Sequence, residues 1–220
     1  MARRGEPRDS LDFFPTPPWA TRALCEHVLP VVGDVTALTS LRAWEPAAGE
    51  GHMAEVLRGY FGEVIASDVH DYGRGYAVGS FVGAGPDRMQ APGVVDWIIT
   101  NPPFNLSIDF ARRAITEARC GCALLVRTAW LESGERWQLF SETPPTHVAV
   151  FMGRVAMVRG RWDPGASSAT SYSWVIWRHP AGAGTQLLFI PPDARQRLTR
   201  RDDPARFACA ADAGPLFGGI

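Results

Sequence analysis

Short apolar runs are spaced along the first two thirds of the chain, and segments with helical periodicity separate them. Residues 94–99 form the most continuous run, with β-branched and aromatic side chains and one charge, which is typical of a strand buried on both faces. Shorter runs predict four further strands, at residues 38–44, 64–67, 76–82 and 123–126. Helices are predicted at residues 17–28, after Gly51, and at residues 107–119 and 134–140. This alternation predicts an α/β fold.

The pattern changes after Pro144 and Pro145, because apolar runs now follow one another without long helices between them. These runs predict strands at residues 147–151, 155–158, 171–177 and 186–190. We therefore expect an α/β domain over residues 13–190 that ends in antiparallel strands. Residues 1–12 are polar and are expected to be flexible. Residues 191–220 are rich in Pro, Arg and Ala and are expected to form an irregular tail.

The chain has 220 residues, of which 46% are hydrophobic, so it can form one globular α/β domain with a full core. No apolar run reaches the length of a membrane span, and the charged N-terminus lacks the apolar core of a signal peptide. The four cysteines have no paired metal-binding spacing, and Cys120 and Cys122 are expected only to begin a strand. We therefore expect a protein of the reducing cytoplasm, with no metal ion and no membrane partner.

The net charge is −1, which gives no general attraction to nucleic acid. All 22 basic residues are arginine, and a GC-rich genome is the simplest explanation of this bias. Arginine nonetheless suits phosphates and base edges. Arg154, Arg159 and Arg161 lie close together beside Trp162, where they could bind phosphates, although a solvated surface is the more common role of such a cluster.

Asn101 is the polar residue that follows the apolar run at residues 94–99, and it begins the sequence Asn-Pro-Pro-Phe. Pro102 and Pro103 cannot donate to a sheet, and each keeps the preceding residue extended. Asn101 is therefore expected on a stiff segment just beyond the carboxyl end of a strand. Open α/β sheets place their chemistry at that edge.

The same four residues offer a specific chemistry. The side-chain oxygen of Asn101 and the carbonyl of Pro102 are two acceptors that could take both hydrogens of a planar amino group, which would make its nitrogen nucleophilic. Phe104 offers an aromatic face on which a flat ring could stack. Asn-Pro and Pro-Pro pairs also mark ordinary turns, so a turn without chemistry is the alternative.

A second candidate site begins at Glu45 and continues through a small-residue turn to Gly51. The predicted strand, tight turn and helix would bring free backbone N–H groups close to a ligand. The Glu45 carboxylate suits a cationic or hydroxyl-bearing ligand and repels a bare phosphate. Asp68 ends the next predicted strand, 19 residues beyond Gly49, which is the spacing of a ribose-binding acid in nucleotide-binding sheets. A helix-capping aspartate is the alternative.

Two further residues each have a plain and a functional interpretation. Thr16 could cap the helix that begins at Pro17, or could offer its hydroxyl to an anion such as a carboxylate. Asp87 follows the predicted third strand, where it could reach an adenine amino group or simply cap a turn. The pattern favours capping for Thr16 and leaves the two roles of Asp87 equal.

Taken in order, these motifs resemble those of S-adenosylmethionine-dependent methyltransferases of the N6-adenine DNA class, and most nearly the small phage-type enzymes. The matching segments are residues 14–17, 45–51 and 101–104, together with Asp68 and Asp87. The resemblance extends over residues 12–190. It implies a class I, Rossmann-like fold, with a seven-stranded, mostly parallel sheet, helices on both faces and an antiparallel C-terminal hairpin.

The resemblance also implies an activity and a role for each residue. It implies methylation of adenine N6, with S-adenosylmethionine as cofactor and double-stranded DNA as partner, in the host cytoplasm if the gene is phage-borne. The catalytic residues that it implies are Asn101, Pro102, Pro103 and Phe104. The cofactor-binding residues that it implies are Thr16, Glu45, Ala47, Gly49, Gly51, Asp68 and Asp87.

The chain departs from the larger members of this family, because it leaves no room for a separate target-recognition domain. We therefore expect short or relaxed sequence specificity, with DNA contacts from residues 154–162 and 195–206. The Asn-Pro-Pro sequence would serve any planar amino group, so an RNA adenine or a protein glutamine amide is an alternative substrate. A non-catalytic, methyltransferase-like binding module is the other alternative. The sequence leaves the oligomeric state open.

Overall fold

The computed structural model describes residues 12–33, 38–182 and 184–207, which build a single sheet of eight strands. The strands are β1 Arg42–Glu45, β2 Glu63–Asp68, β3 Ala77–Val78, β4 Val95–Thr100, β5 Ala118–Arg127, β6 His147–Phe151, β7 Tyr172–Arg178 and β8 Gln186–Ile190. The α-helices are α1 Pro18–Ala23, α2 Leu29–Val32, α3 His52–Leu57, α4 Ser107–Glu117, α5 Gly134–Glu142, α6 Ala194–Leu198 and α7 Asp203–Phe207. A π-helical turn, Leu24–Val28, joins α1 to α2.

The strand order is β3-β2-β1-β4-β5-β7-β6-β8, and the first five strands in this order are parallel. β7 runs antiparallel between β5 and β6, which makes β6 parallel to β5. The carboxyl ends of β1, β2, β4, β5 and β6 therefore meet at one edge of the sheet, which we call the active edge.

The predicted α/β fold is confirmed, and so is the antiparallel C-terminal hairpin, which β6 and β7 form. The sequence predicts seven strands, but the sheet has eight. The last strand, β8, pairs parallel to β6. The physical reason is that β7 already has a neighbour on each side. β8 returns antiparallel to β7 and can add only outside β6, where it becomes a parallel edge strand.

Packing on both faces of the sheet follows from the alternation of side chains along each strand. Trp97 and Ile99 of β4 point into the core that contains α1 and α3, whereas Ile98 points into the core under α4. All six residues of β4 are buried. This burial on both sides explains why the run contains almost no polar residue until it reaches the active edge.

Several predicted boundaries are wrong. Residues 38–40 form a short 3₁₀ turn rather than the start of β1, and the predicted strand at residues 155–158 contains only an isolated bridge from Val158 to Arg161. The third strand shrinks to two residues. The helix predicted to reach residue 119 ends at Glu117, because Ala118 is already extended and begins β5.

The predicted irregular tail contains two short helices, α6 and α7, as far as it is described. A buried ion pair anchors them: Arg22 of α1 donates to both carboxylate oxygens of Asp203 at 2.5 and 2.7 Å and to the carbonyl of Leu198 at 2.7 Å. Burial alone raises the pKa of Asp203, but the contacts with Arg22 and Arg200 outweigh it and lower the pKa. Residues 208–220, including Cys209, and residues 1–11 lie outside the described part of the chain.

Among the described residues, no helix is both long enough and apolar enough to cross a membrane.

Candidate active site

A cleft of the described structure lies at the active edge, above β1, β2 and β4, and encloses about 870 Å³ including its open mouth. It brings together most of the residues that the sequence singles out. Those that line it are Thr16, Glu45, Ala47, Gly49, Asp68, Asn101, Pro102, Pro103 and Phe104. The Asn-Pro-Pro-Phe tetrapeptide and Gly49 of the glycine turn therefore share one cavity, although 101 − 49 = 52 positions separate Asn101 from Gly49 in sequence.

Asn101 has a fixed amide orientation. Its Nδ2 donates to the carbonyl of Phe14 at 2.9 Å and lies 3.7 Å from the sulfur of Met157. A carbonyl oxygen accepts hydrogen bonds and cannot donate them, so the Asn101 amide must turn its NH₂ group towards Phe14. Oδ1 therefore lies on the opposite side of the amide. Neither Oδ1 nor the Pro102 carbonyl accepts a hydrogen bond from another described residue. Both acceptors thus remain available to a ligand.

Phe104 is held at both its backbone and its ring. Its N–H donates to Asp12 at 2.8 Å, and its carbonyl accepts from the Ser107 hydroxyl at 2.9 Å. The guanidinium carbon of Arg127 lies only 3.9 Å from the centroid of the ring, within cation–π distance. The ring of Phe14 lies 5.4 Å away. A flat ligand that stacks on Phe104 therefore has Arg127 and Phe14 as neighbours.

The glycine turn has the geometry that its residues suggest. Gly49 and Gly51 have φ values of 53° and 89°, in the left-handed region that favours glycine. A Cβ on Gly49 would collide with the ring of Phe13, and one on Gly51 would collide with the Tyr76 hydroxyl. Gly49 lines the cleft, whereas Gly51 precedes α3 and does not line it. Gly51 therefore shapes the turn without facing the cavity.

Asp68 connects the tip of β2 to the glycine turn. Its Oδ2 accepts from the N–H of Gly49 at 2.8 Å, and its Oδ1 accepts from the N–H of His70 at 2.9 Å. Burial raises the pKa of Asp68, although the N–H groups of His70, Gly49 and Val69 oppose that effect. Each carboxylate oxygen has a second lone-pair site, so Asp68 keeps acceptor capacity towards the cleft.

Glu45 is buried, with 2% of its surface exposed, and its Oε2 has no hydrogen-bond partner among the described residues. Burial raises its pKa well above 4.5, and the nearby Asp68 raises it further, against a backbone hydrogen bond from Ala54. An orphaned acid beside a second acid creates demand for a cation or a hydroxyl donor. The carboxyl groups of Glu45 and Asp68 therefore suit a hydroxyl-bearing, positively charged ligand and do not suit a bare phosphate.

The helix cap predicted at Thr16 is wrong. α1 begins at Pro18 with Pro17 at the cap position, so Thr16 does not cap it; Thr16 instead lies buried in the wall of the cleft. α4 begins at Ser107 with Leu106 as its cap. The Ser107 hydroxyl accepts from Trp130 at 2.7 Å while donating to Phe104, and so it braces the end of the tetrapeptide.

The structure does not bring Asp87 into the cleft. Asp87 is exposed, and its carbonyl accepts from the N–H of Ser80 at 2.9 Å. The wall on that side is formed by Ser80, Phe81 and Val82. The buried Arg113 fixes this wall, because it donates to the carbonyls of Phe81 and Met89.

Other lining residues are missed by the sequence patterns. Asp12 and Phe13 cross the cleft as part of the N-terminal segment, and Phe13 is further held by a hydrogen bond from the N–H of Gly160 to its carbonyl at 2.9 Å. Tyr72 packs against Phe13 with ring centroids 5.0 Å apart. Burial lowers the pKa of His52 to about 4, so this lining residue is a neutral imidazole at physiological pH. Phe13 and Phe14, which precede Pro15, are the sequence feature that could have indicated an aromatic wall here.

No protein-family model and no curated protein matches the chain. Solved structures do match it. The methyltransferase subunit of a type I restriction-modification system from Streptococcus thermophilus gives a TM-score of 0.58 at 8% identity, over 79% of this chain and 46% of that one. A proposed class I S-adenosylmethionine-dependent methyltransferase from Listeria monocytogenes gives 0.56 at 11% identity, over 80% and 65%. A proposed RNA methyltransferase from Pyrococcus horikoshii gives 0.53 at 15% identity, over 81% and 92%.

These similarities show the fold. The chain has the class I, Rossmann-like methyltransferase fold, with antiparallel pairing around β7 at one end of a mostly parallel sheet. The chain spans 65% and 46% of the Listeria and Streptococcus structures, and the identities are low. These similarities therefore do not identify the substrate or the partner of this chain.

Proposed function

We propose that this chain is an S-adenosylmethionine-dependent methyltransferase that methylates the N6 amino group of adenine in DNA. The observation that carries the proposal is the orientation of Asn101: Phe14 holds its nitrogen, so that Oδ1 and the Pro102 carbonyl form a pair of unused acceptors. This pair lies in the same cleft as Glu45, Gly49 and Asp68. A planar amino group and a nucleoside-bearing methyl donor can therefore meet there.

The acidic side of the cleft supports the cofactor. S-adenosylmethionine supplies, when bound, an electrophilic methyl group on a positively charged sulfur. Asp68 would accept from its ribose hydroxyls, and the buried carboxyl of Glu45 would meet its positive charge. The turn at Gly49 allows the backbone to approach, and Phe81 and Val82 offer an apolar wall for an adenine ring.

The tetrapeptide supports the target. Asn101 Oδ1 and the Pro102 carbonyl would accept the two N6 hydrogens, which draws the nitrogen lone pair out of the ring and aims it at the methyl group. The new N–C bond would form as the S–C bond breaks, and the amino nitrogen would then release a proton to solvent. Adenine must leave the DNA stack to reach this depth. Holding both reactants in contact supplies much of the rate, with effective molarities of about 10⁵ M or more in favourable cases.

We also propose short or relaxed sequence specificity, because of the kind of DNA contact that the described arginines offer. Direct readout requires several side chains in the major groove, and specific complexes usually bury about 1,000–2,500 Å² of protein surface. Residues 154–162 and 195–206 are the proposed positions of DNA contact, and both contain exposed arginines. Arginines in them would mainly meet phosphates, which position a duplex without reading it.

The test is a panel assay with labelled S-adenosylmethionine on duplex DNA, single-stranded DNA, RNA and a glutamine-containing peptide. We expect transfer to adenine in DNA. Transfer only to RNA, or only to the peptide amide, would replace the proposed substrate with one of the two alternatives that the same acceptor pair permits. Cofactor binding without transfer to any member would favour the non-catalytic alternative.

Asp68→Ala is expected to weaken binding of S-adenosylmethionine by about 1.5–3 kcal/mol, because a charged acceptor for the ribose hydroxyls is lost. Isothermal titration calorimetry measures the change. Asp71→Ala is the matched control, because Asp71 is exposed three residues further on and does not line the cleft. Equal affinity in the Asp68 variant, or no binding by the wild type at millimolar cofactor, would contradict the cofactor assignment.

Cofactor binding is expected to release protons above pH 4.5. Burial raises the pKa of Glu45, so the free protein keeps a proton there that the ordinary carboxyl would lose. A cationic ligand favours the ionised form, so affinity should rise with pH until the raised pKa is passed. Titrations in buffers of different ionisation enthalpy count the protons. Cofactor binding to the Glu45→Gln variant should release fewer protons. Wild-type binding heats that do not depend on the buffer would contradict this prediction.

A further inference from the structure

Arg127 and Arg154 are two arginines at the active edge that have no carboxylate partner among the described residues. Most of the other described arginines do form ion pairs, including Arg112 with Glu142 and Arg119 with Asp96. The partners of these two are neutral. Arg127 lies against Phe104 and the Tyr172 hydroxyl, and Arg154 donates to the Ser171 hydroxyl. Their positive charge is therefore available to an anion.

The sheet places Arg127 near the Asn-Pro-Pro-Phe segment, and contacts at the start of β7 link it to Arg154. Arg127 ends β5, next to the β4 tip that leads to Asn101, and it pairs in register with Tyr172. Ser171, which binds Arg154, accepts a hydrogen bond from the N–H of Thr128 at 2.8 Å. The two guanidinium groups thus hold adjacent residues at the start of β7. The loop that carries Arg154 also contains Met157, which contacts Asn101.

Arg127 covers one face of the Phe104 ring. Its planar guanidinium lies 3.9 Å from the centroid of that ring, within cation–π distance. Its Nε is buried and has no acceptor among the described residues, so its hydrogen bonds are incomplete in this position. Phosphate offers such a group charge-assisted, bidentate hydrogen bonds, which are stronger than a contact with a neutral ring.

We propose that Arg127 is a placeholder for the target base: an entering nucleic acid displaces its guanidinium from Phe104, and the guanidinium then binds a phosphate that flanks the target nucleotide. Arg154 holds a second phosphate. This inference rests on the proposed function, because it takes the planar substrate of Asn101 as given, and it adds the residues that would hold the phosphates of the nucleic acid. Arg127 acts as a positioning residue.

The test is the salt dependence of binding to a fluorescein-labelled DNA duplex, measured by anisotropy between 50 and 200 mM NaCl in the presence of S-adenosylhomocysteine. The slope of log K against log[salt] is negative, and each lost phosphate contact reduces its magnitude by about 0.9. We expect that decrease for Arg127→Gln and for Arg154→Gln, and about twice the decrease for the double variant. Arg127→Lys keeps a point charge and should keep the wild-type slope.

Arg112→Gln is the matched control, because Arg112 is an exposed arginine on α4 that is already paired with Glu142 and lies outside the cleft. Its slope should equal that of the wild type. Affinity for S-adenosylhomocysteine checks folding, and it should be unchanged in every variant. Arg154 is exposed, so its variant keeps the test valid even if Arg127→Gln destabilises the protein. Steady-state methylation should show a raised KM for DNA in Arg127→Gln with kcat reduced far less.

Wild-type slopes in Arg127→Gln, Arg154→Gln and the double variant would overturn the inference, as would a wild-type protein whose DNA binding does not depend on salt. If the wild type methylates DNA but these slopes do not change, the inference fails and the proposed function stands. If the slopes fall as expected but no nucleic acid is methylated, the proposed function fails and the phosphate contacts stand.

Discussion

Replacing Asn101 with alanine is expected to reduce kcat by about 10²–10³-fold and to leave the affinity for S-adenosylmethionine unchanged. Asn101 contacts the Phe14 carbonyl and Met157, and it points its remaining oxygen at the place assigned to the target nitrogen. That acceptor matters most when the nitrogen becomes tetrahedral, so its loss falls on the transition state and hence on kcat. Cofactor contacts are assigned to other residues of the cleft.

Asn105→Ala provides the matched control for Asn101→Ala. Asn105 is the other asparagine of the chain, it is exposed, and it does not line the cleft. Its replacement should leave both kcat and cofactor affinity at wild-type values. Single-turnover methylation and calorimetry measure the two quantities separately. If Asn101→Ala loses cofactor affinity in proportion to activity, Asn101 has a structural role and the assignment of the target acceptor is wrong.

Replacing Arg22 with methionine is expected to lower the free energy of unfolding by about 3–5 kcal/mol. Arg22 and Asp203 form a bidentate pair whose side chains are 2% and 1% exposed. Removing the cation leaves Asp203 buried with an uncompensated charge at the start of α7. Because the pKa of Asp203 is lowered in the folded protein, the stability from this pair is present above pH 3.8 and is lost as pH falls through the lowered pKa.

Urea unfolding followed by circular dichroism measures this loss. Arg197→Met is the control, because Arg197 pairs with Asp193 at a surface where the two side chains are 61% and 53% exposed, and its loss should cost less than about 1 kcal/mol. The double variant Arg22→Met, Asp203→Leu should recover much of the stability, because no unpaired charge remains. Equal small losses in the Arg22 and Arg197 variants would show that α6 and α7 are not anchored by this pair.

The residues at the ends of β1, β2 and β4 could be identified from sequence because each follows directly from a local pattern. An apolar strand that ends in Asn-Pro-Pro has one place to put Asn101, and parallel strands bring their ends to a common edge. The spacing from Gly49 to Asp68 likewise predicts two residues that the structure joins by a hydrogen bond. Short-range rules were sufficient here, because chain direction and strand length fix the result.

Asp87 could not be placed in this way. The loop after β3 is fixed by long-range contacts: Ser80 bridges to Arg88, and Arg113 from α4 holds two loop carbonyls. No local pattern at Asp87 reveals them. The same limit applies to Arg127, whose contact with Phe104 depends on the pairing of β4 with β5 rather than on its sequence neighbours.

The end of the chain shows a second limit. An apolar run such as residues 186–190 predicts a strand but contains no information about its partner or direction. Its parallel pairing with β6 follows from which sheet edges are already filled. The two short helices after it depend on the buried pair between Arg22 and Asp203, which are 181 residues apart. A Pro- and Arg-rich composition therefore predicted an irregular tail where tertiary contacts stabilise helices.

The most direct measurement of the central claim is the mapping of N6-methyladenine in genomic DNA after expression in a methylation-free host. Wild-type protein and Asn101→Ala would be expressed at matched levels and the DNA analysed by mass spectrometry and by single-molecule sequencing. The proposed function predicts N6-methyladenine at a short or degenerate sequence in the wild-type sample and almost none in the Asn101→Ala sample. Absence of N6-methyladenine from the wild-type sample, from a protein that binds S-adenosylmethionine, would contradict DNA adenine methylation.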